Sequence, residues 1–335
     1  MERERDKIWM HVASVGEFNS VRWLIDELEK HFEVVLTYFS PRARDYLINS
    51  NLKFVQRVPL TPWGIKSLEN LIKPRAFFLV ERELWPPFKL IRSRKIWIGA
   101  YSRGGFLERW IGKDFELVLT RTQKDAELMS KAGIRARCCG NPKWVLKEPK
   151  DLKLKLEGRL IVLGSSHEGE EVLIKHVFRE LLKEFEDLKL IVAPRHIKRA
   201  DRVLEIFKDL GAKKRSENSN TWRVLILDTL GELFGIYKYA NAIVMGGTFV
   251  KIGGHNIAEA MFFKKPVIFG PYTHKIKDMV ETSLEMGLGY RAMDVKDLEF
   301  ILKNLLKNPQ ERIHIKDIAS SVKECYILEV FKFLE

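Results

Sequence analysis

The sequence predicts an α/β protein built from two doubly wound domains, each a parallel sheet with helices on both faces. Three observations lead to that class. The chain has 335 residues, and at roughly 100–200 residues per domain two domains are the natural division. Short apolar runs alternate with longer amphipathic ones, the rhythm of strand–helix–strand units. That rhythm breaks once, at a polar, proline-bearing stretch near 142–158, and then restarts.

In the first half, Ile8–Ala13, Val34–Phe39, Ala76–Val80, Lys95–Ala100 and Glu116–Thr120 read as strands. Each is brief, rich in Val, Ile, Leu or Phe, and ends near a turn-forming residue. Between the first two, Asn19–Lys30 carries Val21, Leu24, Ile25 and Leu28 at helical spacing. Pro142, Lys143, Lys147, Pro149, Lys150 and Asp151 mark the linker. Beyond it, Arg159–Gly164 is a strand and Glu168–Phe185 a strong helix. Lys189–Ala193, Val224–Leu227, Ala242–Met245 and Pro266–Phe269 are further strands, and Asp209–Asn220 reads as a polar loop. Helices over Val295–Lys307 and roughly Pro309–Leu334 close the chain. The domain limits are thus 1–145 and 155–335. Ligands of such sheets bind at the carboxyl ends of the strands. Two such domains facing across a cleft suit a reaction between two substrates.

Hydrophobic residues are 46% and charged residues 31% of the chain, enough apolar material for two cores and too much for a disordered one. The net charge of +13 points to an anionic partner or to a surface dense in both signs, since 45 acidic residues accompany 58 basic ones. Three cysteines, Cys138, Cys139 and Cys325, argue for a reducing compartment and for plain buried thiols. The start has no secretory pattern. The longest uncharged stretch, Tyr239–Val250, has 12 residues, short of the roughly 18 that a spanning helix needs.

Five stretches carry the chemistry. In the first, His11 through Glu17, a strand runs into a small-residue turn at Ser14 and Gly16 and a helix follows. Glu17 is placed either to act as a general base or to favour the positive end of that helix. In the second, Glu81 and Glu83 flank Arg82 after another strand, either as a binding site for hydroxyls or as a local ion cluster. In the third, Gly164-Ser165-Ser166-His167-Glu168-Gly169-Glu170-Glu171 opens a helix, as an anion site or with Ser165 or Ser166 as its cap. In the fourth, Pro194-Arg195-His196 ends a strand, and the forked donors of Arg195 suit a phosphate or carboxylate.

The fifth stretch, Met245 to Ala260, holds four glycines, then His255 and Asn256, then a helix. Glycines permit close approach to a phosphate. Asn256 and Glu259, three apart, are expected on one helix face, where they could hold ribose hydroxyls. It is neither a Walker A loop nor a dinucleotide fingerprint.

Together these stretches resemble the Kdo transferases, glycosyltransferases of the GT-B fold that move 3-deoxy-D-manno-octulosonic acid. The pattern Ala-Ser-x-Gly-Glu is met by Ala13, Ser14, Gly16 and Glu17. Glu-x-Glu-(Leu/Ile)-Trp-Pro is met by Glu81, Glu83, Leu84, Trp85 and Pro86. Ser-x-His-Glu-Gly-Glu-Glu is met from Ser165 to Glu171, and Pro-Arg-His at Pro194, Arg195 and His196. Gly-Gly-His-Asn-x-x-Glu is met from Gly253 to Glu259, and a Lys-Pro-Val-(Ile/Leu)-Phe-Gly-Pro tail at 265–271. Departures are Pro87 where Asn is usual, Ser166 where Thr is usual, and Ile197 where Pro is frequent.

The resemblance implies two Rossmann-like domains, an acceptor domain and a nucleotide-sugar domain, the last helix being a candidate to cross back to the first. It implies inverting transfer from CMP-Kdo to a lipid A precursor, with neither metal nor cofactor. Glu17 would be the base and Glu83 its helper. Ser14, Gly16 and Glu81 would serve the acceptor. Ser165, Ser166, His167, Arg195, His196, Gly253, Gly254, His255, Asn256 and Glu259 would serve the donor. The phosphorylated acceptor implies an enzyme on the cytoplasmic face of a bacterial inner membrane, its basic surface against anionic lipid. Arg22, Arg42, Arg44 and Lys53, with Phe18, Trp23 and Trp63, are candidate contacts. The rival readings are a GT-B enzyme using a different nucleotide sugar such as a UDP-hexose, a basic RNA-binding protein, and a scaffold that has lost catalysis. The sequence shows no aromatic and basic stacking motif for RNA.

Overall fold

The computed structural model describes residues 5–149, 152, 157–219, 221–308 and 318–335. The chain divides into two compact units, Met1–Lys147 with Asp317–Glu335, and Glu148–Lys316. Each holds one seven-stranded, wholly parallel sheet.

The strands of the first unit are β1 (Lys7–Val12), β2 (Glu33–Tyr38), β3 (Phe54–Arg57), β4 (Ala76–Val80), β5 (Arg94–Ala100), β6 (Leu117–Thr120) and β7 (Ala136–Cys138). They lie in the order β3-β2-β1-β4-β5-β6-β7. The second unit has β8 (Leu160–Ser166), β9 (Lys189–Pro194), β10 (Ala212–Lys214), β11 (Val224–Ile226), β12 (Ala242–Met245), β13 (Val267–Phe269) and β14 (Gly289–Arg291). Their order is β10-β11-β9-β8-β12-β13-β14. In both sheets the order reverses beside the first strand, between β1 and β4 and between β8 and β12. Such reversals open a crevice at the strands' carboxyl ends.

The central strands formed where continuous apolar runs require burial on both faces. β4 and β12 are buried at every residue. Four strands were not expected from the sequence, β3, β7, β10 and β14. All lie at sheet edges and are partly exposed, so they carry no apolar run to read. The expected polar loop 209–220 in fact contains β10 and two 3-10 turns, Lys208–Leu210 and Arg215–Glu217. Asn220 lies outside the described residues, as do 150–151 of the linker and 309–317 of the last helix.

The helix Val15–Leu28 starts four residues before its apolar stripe suggested, because Ser14 caps it through its hydroxyl. Its stripe of Val21, Leu24, Ile25 and Leu28 is fully buried against the sheet. The helix Ile318–Leu334 belongs to the first unit and buries Val322, Tyr326, Val330, Phe333 and Leu334 in that unit's core. At about 2 kcal/mol per buried apolar side chain, the five contribute on the order of 10 kcal/mol before the cost of ordering. Tyr326 donates to the Gly140 carbonyl at 3.0 Å. Cys325 is disulfide-bonded to Cys139, with Cα atoms 5.5 Å apart. The expectation of three plain thiols is therefore corrected. Only the return of the last helix to the end of β7 brings these two residues together, across a sequence separation of 186. Cys138 keeps a free thiol, which burial pushes up from its ordinary pKa.

Candidate functional sites at the two sheet reversals

In the first unit, β1 ends at Val12 and the chain enters its helix through Ala13 and Ser14. Ser14 accepts the Glu17 N–H at 3.3 Å, and a Glu17 carboxylate oxygen accepts the Ala13 N–H at 2.6 Å. This reciprocal pairing is a capping box shifted by one residue. It fixes Glu17 beside the carboxyl end of β1 and leaves its other oxygen for chemistry. Gly16 sits inside the helix at an ordinary backbone angle, so it does not make the turn expected of it. A side chain there would meet nothing closer than the Ser14 hydroxyl at 3.7 Å.

Glu81 follows β4 directly, in the left-handed region at φ 59°. A non-glycine residue there is held by its surroundings. The Glu81 N–H donates to Ile98 at 2.9 Å, and the Trp97 indole N–H donates to the Glu81 carbonyl. Its carboxylate meets Arg121 at 2.6 Å and Lys143 at 2.7 Å. Burial pushes this carboxyl up, but Arg121 and Lys143 together bring it below the ordinary value. Arg82 takes no part, since it pairs with the buried Glu108 at 3.0 Å. Glu83 accepts the Trp85 indole N–H at 2.7 Å.

Glu17 responds in the opposite sense. Burial, then the neighbouring charge of Glu81, raise its pKa to about 8, with Glu83 adding to the rise and Lys143 opposing it. Two carboxyl groups with proton affinities driven apart are the arrangement from which acid–base roles follow. Sequence reasoning missed Arg121 and assigned Lys143 to the linker. No local motif marks either one, because the fold alone brings them to Glu81.

In the second unit, Ser165, the penultimate residue of β8, lies in the left-handed region at φ 57°. Neither Ser165 nor Ser166 caps the next helix, Glu170–Leu182. Its N-cap is Gly169, with no side-chain bond. Ser166 is instead the last residue of β8, fully buried, and donates to Glu171 at 2.7 Å. Arg199 closes that arrangement on Glu171 at 2.8 Å.

Glu170 anchors the glycine-rich loop. One of its oxygens accepts from Gly247 at 2.8 Å and from His167 at 2.9 Å, the other from Thr248 at 3.1 Å and Phe249 at 3.0 Å. Gly246 has to be glycine, because a Cβ there would sit 2.3 Å from the Ser165 carbonyl oxygen. Gly253 lies at φ 101°, and a Cβ on it would stand 2.5 Å from His274 Nε2. The N–H groups of Gly253 and Gly254 both donate to the Gly247 carbonyl, at 3.0 and 2.8 Å. They shape the loop, which leaves side chains as the nearby donors for an anion.

Those side chains converge. Nε2 of His167 and Nε2 of His255 are 2.7 Å apart, and His167 lies against His196 with ring centroids at 6.3 Å. Burial, then the Arg195 charge and His167, lower His255 to about 4. Burial, then His196, Arg199 and Arg195, lower His167 as well. Both imidazoles are thus neutral near pH 7, so one donates to the other, inside a ring of cations that includes Lys275. Arg195 and His196 are exposed at the end of β9. Asn256 does not open the following helix, which runs Ala258–Phe262. Its side chain accepts the Ala258 N–H at 3.0 Å, so it precedes the helix rather than sharing a face with Glu259. Burial raises the Glu259 carboxyl.

Residues 1–146 match the family model described as 3-Deoxy-D-manno-octulosonic-acid transferase (kdotransferase). A 3-deoxy-D-manno-octulosonic acid transferase of Aquifex aeolicus is 37% identical over 98% of this chain and 93% of its own length. The chain belongs to the Kdo transferase family. It is accordingly a glycosyltransferase. A second relative, the 3-deoxy-D-manno-octulosonic acid transferase of Rickettsia bellii, is 29% identical over 89% of this chain and 79% of its own length. The solved UDP-N-acetylglucosamine 2-epimerase of Rickettsia bellii shares the fold at TM-score 0.65 and 15% identity, covering 98% of this chain and 97% of that one. The architecture is that of GT-B Kdo transferases, two parallel-sheet α/β domains. Among the described residues no helix is long and apolar enough to cross a membrane.

Two of the expected lipid contacts are not available. Phe18 is buried in the first core, and the Trp23 indole packs inward and donates to the Ser20 carbonyl at 3.1 Å. Trp63, in contrast, is 78% exposed.

Proposed function

We propose that this Kdo transferase moves Kdo from CMP-Kdo to a hydroxyl of a lipid A precursor, with inversion at the anomeric carbon. The observation that carries the reading is Glu17, held at the carboxyl end of β1 by a capping box beside Glu81 and Glu83. A carboxylate of raised proton affinity takes a proton better than an ordinary one. In the proposed step the acceptor oxygen attacks the anomeric carbon, the bond from that carbon to the phosphate oxygen breaks, and CMP leaves. Glu17 takes the hydroxyl proton. Glu83, fixed by Trp85, orients the acceptor, and Ser14 and Gly16 leave room beside the base.

The second unit is assigned to the donor. Arg195, His196 and the His167–His255 pair offer donors to the phosphate, where charge develops as CMP departs. Glu259 and Asn256 face the nucleoside. Gly253 and Gly254 set the loop's path. No metal is required in this scheme.

The membrane assignment rests on charge and exposure. The chain carries +13. Tyr46, Ile48, Phe54, Leu60 and Trp63 are exposed in a segment that also holds Arg42, Arg44 and Lys53. Such a mixture suits a peripheral position on the anionic cytoplasmic face of an inner membrane.

The test is incubation of purified protein with CMP-Kdo and a tetraacylated lipid A precursor, read by mass spectrometry. A gain of one or more Kdo units is the expected result. No gain from folded protein that binds CMP would reject the acceptor while keeping the donor. Absence of CMP binding would reject the donor as well.

A further inference from the structure

We propose that Lys143 is a positioning residue for the transfer reaction, paired with Glu81 and holding Glu17 in its working charge state both through that pair and by its own charge. This rests on the reading of Glu17 as the base. The motif search gave Lys143 no role, and its sequence neighbourhood reads as linker. The geometry gives it one. Asn141 caps the 3-10 turn Pro142–Trp144 by accepting the Lys143 N–H at 3.0 Å. That turn follows the Gly140 carbonyl, which Tyr326 holds. The Lys143 backbone is thereby fixed, and its ammonium reaches the same carboxylate oxygen of Glu81 that Arg121 contacts.

The charged groups facing Glu17 are Glu81 and Glu83 from the end of β4 and Lys143 from the turn after β7, with Arg121 behind Glu81 after β6. Arg121 and Lys143 both favour the ionised form of Glu81. Lys143 is the cation that also acts on Glu17 directly, opposing the two carboxylates. It therefore limits the rise that the two carboxylates impose on Glu17, in the same sense as the Ala13 N–H bond. Without it, the two negative neighbours are opposed less, and a larger share of the base is protonated at neutral pH.

The experiment compares wild type, Glu17→Gln, Lys143→Met and Lys143→Arg in the full chain. Glutamate carboxyl groups are labelled with 13C, and the Glu17 signal is the one missing in Glu17→Gln. Turnover of CMP-Kdo with the lipid A precursor is followed across pH 5.5 to 10, and each variant's melting temperature is recorded. In Lys143→Met the Glu17 titration and the acid limb of kcat/KM should both move to higher pH, by roughly 0.5 to 1 on the pH scale. Turnover should fall about 3- to 10-fold at pH 7 and recover at pH 9.5. Lys143→Arg should return the limb toward the wild-type position.

An unmoved titration in folded Lys143→Met overturns the proposal, and so does a loss that high pH does not recover. A variant that fails to fold leaves Lys143→Arg to decide: an acid limb and titration displaced from wild type by more than the Met change predicts would also overturn it. If wild type shows a Glu17 titration but no matching limb in turnover, the base assignment fails and this proposal falls with it. If the limb is present and only the Lys143 shift is absent, the base assignment stands alone.

Discussion

At the end of β4 the backbone enters the left-handed region at Glu81, and at the end of β8 it does so at Ser165. Each lies next to its sheet's strand-order reversal but on opposite sides of it, since β4 is reached by the crossover and β8 is the first strand. Their surroundings differ in kind. Around Glu81 the first unit gathers two more carboxylates, Glu17 and Glu83, and steadies Glu81 itself with Arg121 and Lys143. Around Ser165 the second unit gathers imidazoles and guanidinium groups, and its nearest carboxylates, Glu170 and Glu171, are committed to backbone N–H groups and to Arg199. The same backbone device thus stands in the site proposed for proton transfer and in the site proposed for anion binding. The fold supplies the place, and the side chains supply the chemistry.

Substitutions can separate the two roles. The largest expected effect is that of Glu17→Gln, which should lower turnover by about 10²- to 10⁴-fold while leaving the affinity for CMP near wild type. Stopped turnover with CMP affinity lost as well would blur the division, and calorimetric titration with CMP would reveal it. Glu170→Ala is the counterpart in the second unit. It removes the acceptor of four backbone N–H groups. A stability loss of about 3 kcal/mol is expected in urea titration, with CMP binding weakened 10-fold or more.

Gly253→Ala should act more mildly. The positive φ of this residue and the nearness of His274 make the loop give way, at a cost of about 1–3 kcal/mol. CMP affinity should fall, and the binding of acceptor alone should not.

The smallest effect sharpens the comparison through its sign. Folding raises the proton affinity of Glu17 from 4.5 to about 8. Its protonated form contributes stability that is complete below the unfolded value and is lost as pH rises through about 8. Folding lowers His255 from 6.5 to about 4. That group contributes stability that is present above 6.5 and lost as pH falls through about 4. Glu17→Gln should therefore gain on wild type in melting temperature between pH 5 and 8.5. His255→Asn should gain on it between pH 6.5 and 4. Parallel slopes in the two variants would contradict the opposed electrostatics.

Much of this was legible in the sequence. The central strands showed as apolar runs because burial on both faces admits little else. The edge strands β3, β7, β10 and β14 did not, since one side of each meets solvent and their residues are mixed. Glu17, Glu81, Ser165, His167 and Gly253 stood out because turns and glycine loops gather such residues into short segments. Arg121, Lys143 and Arg199 were not found, because each reaches its carboxylate across the sheet from a different strand end. The roles given to Ser166, Gly16 and Asn256 shifted by a residue or two. Cap positions depend on backbone angles that residue type alone does not dictate.

The return of Ile318–Leu334 to the first unit bears on how the protein is made. The first sheet's strands leave the ribosome early, but Val322, Tyr326 and Val330 of its core are synthesised only after the whole second unit. Among the described residues, the large core cluster of the second unit runs from Ile161 to Leu306. The first unit's core can therefore be completed only after the second unit has been synthesised.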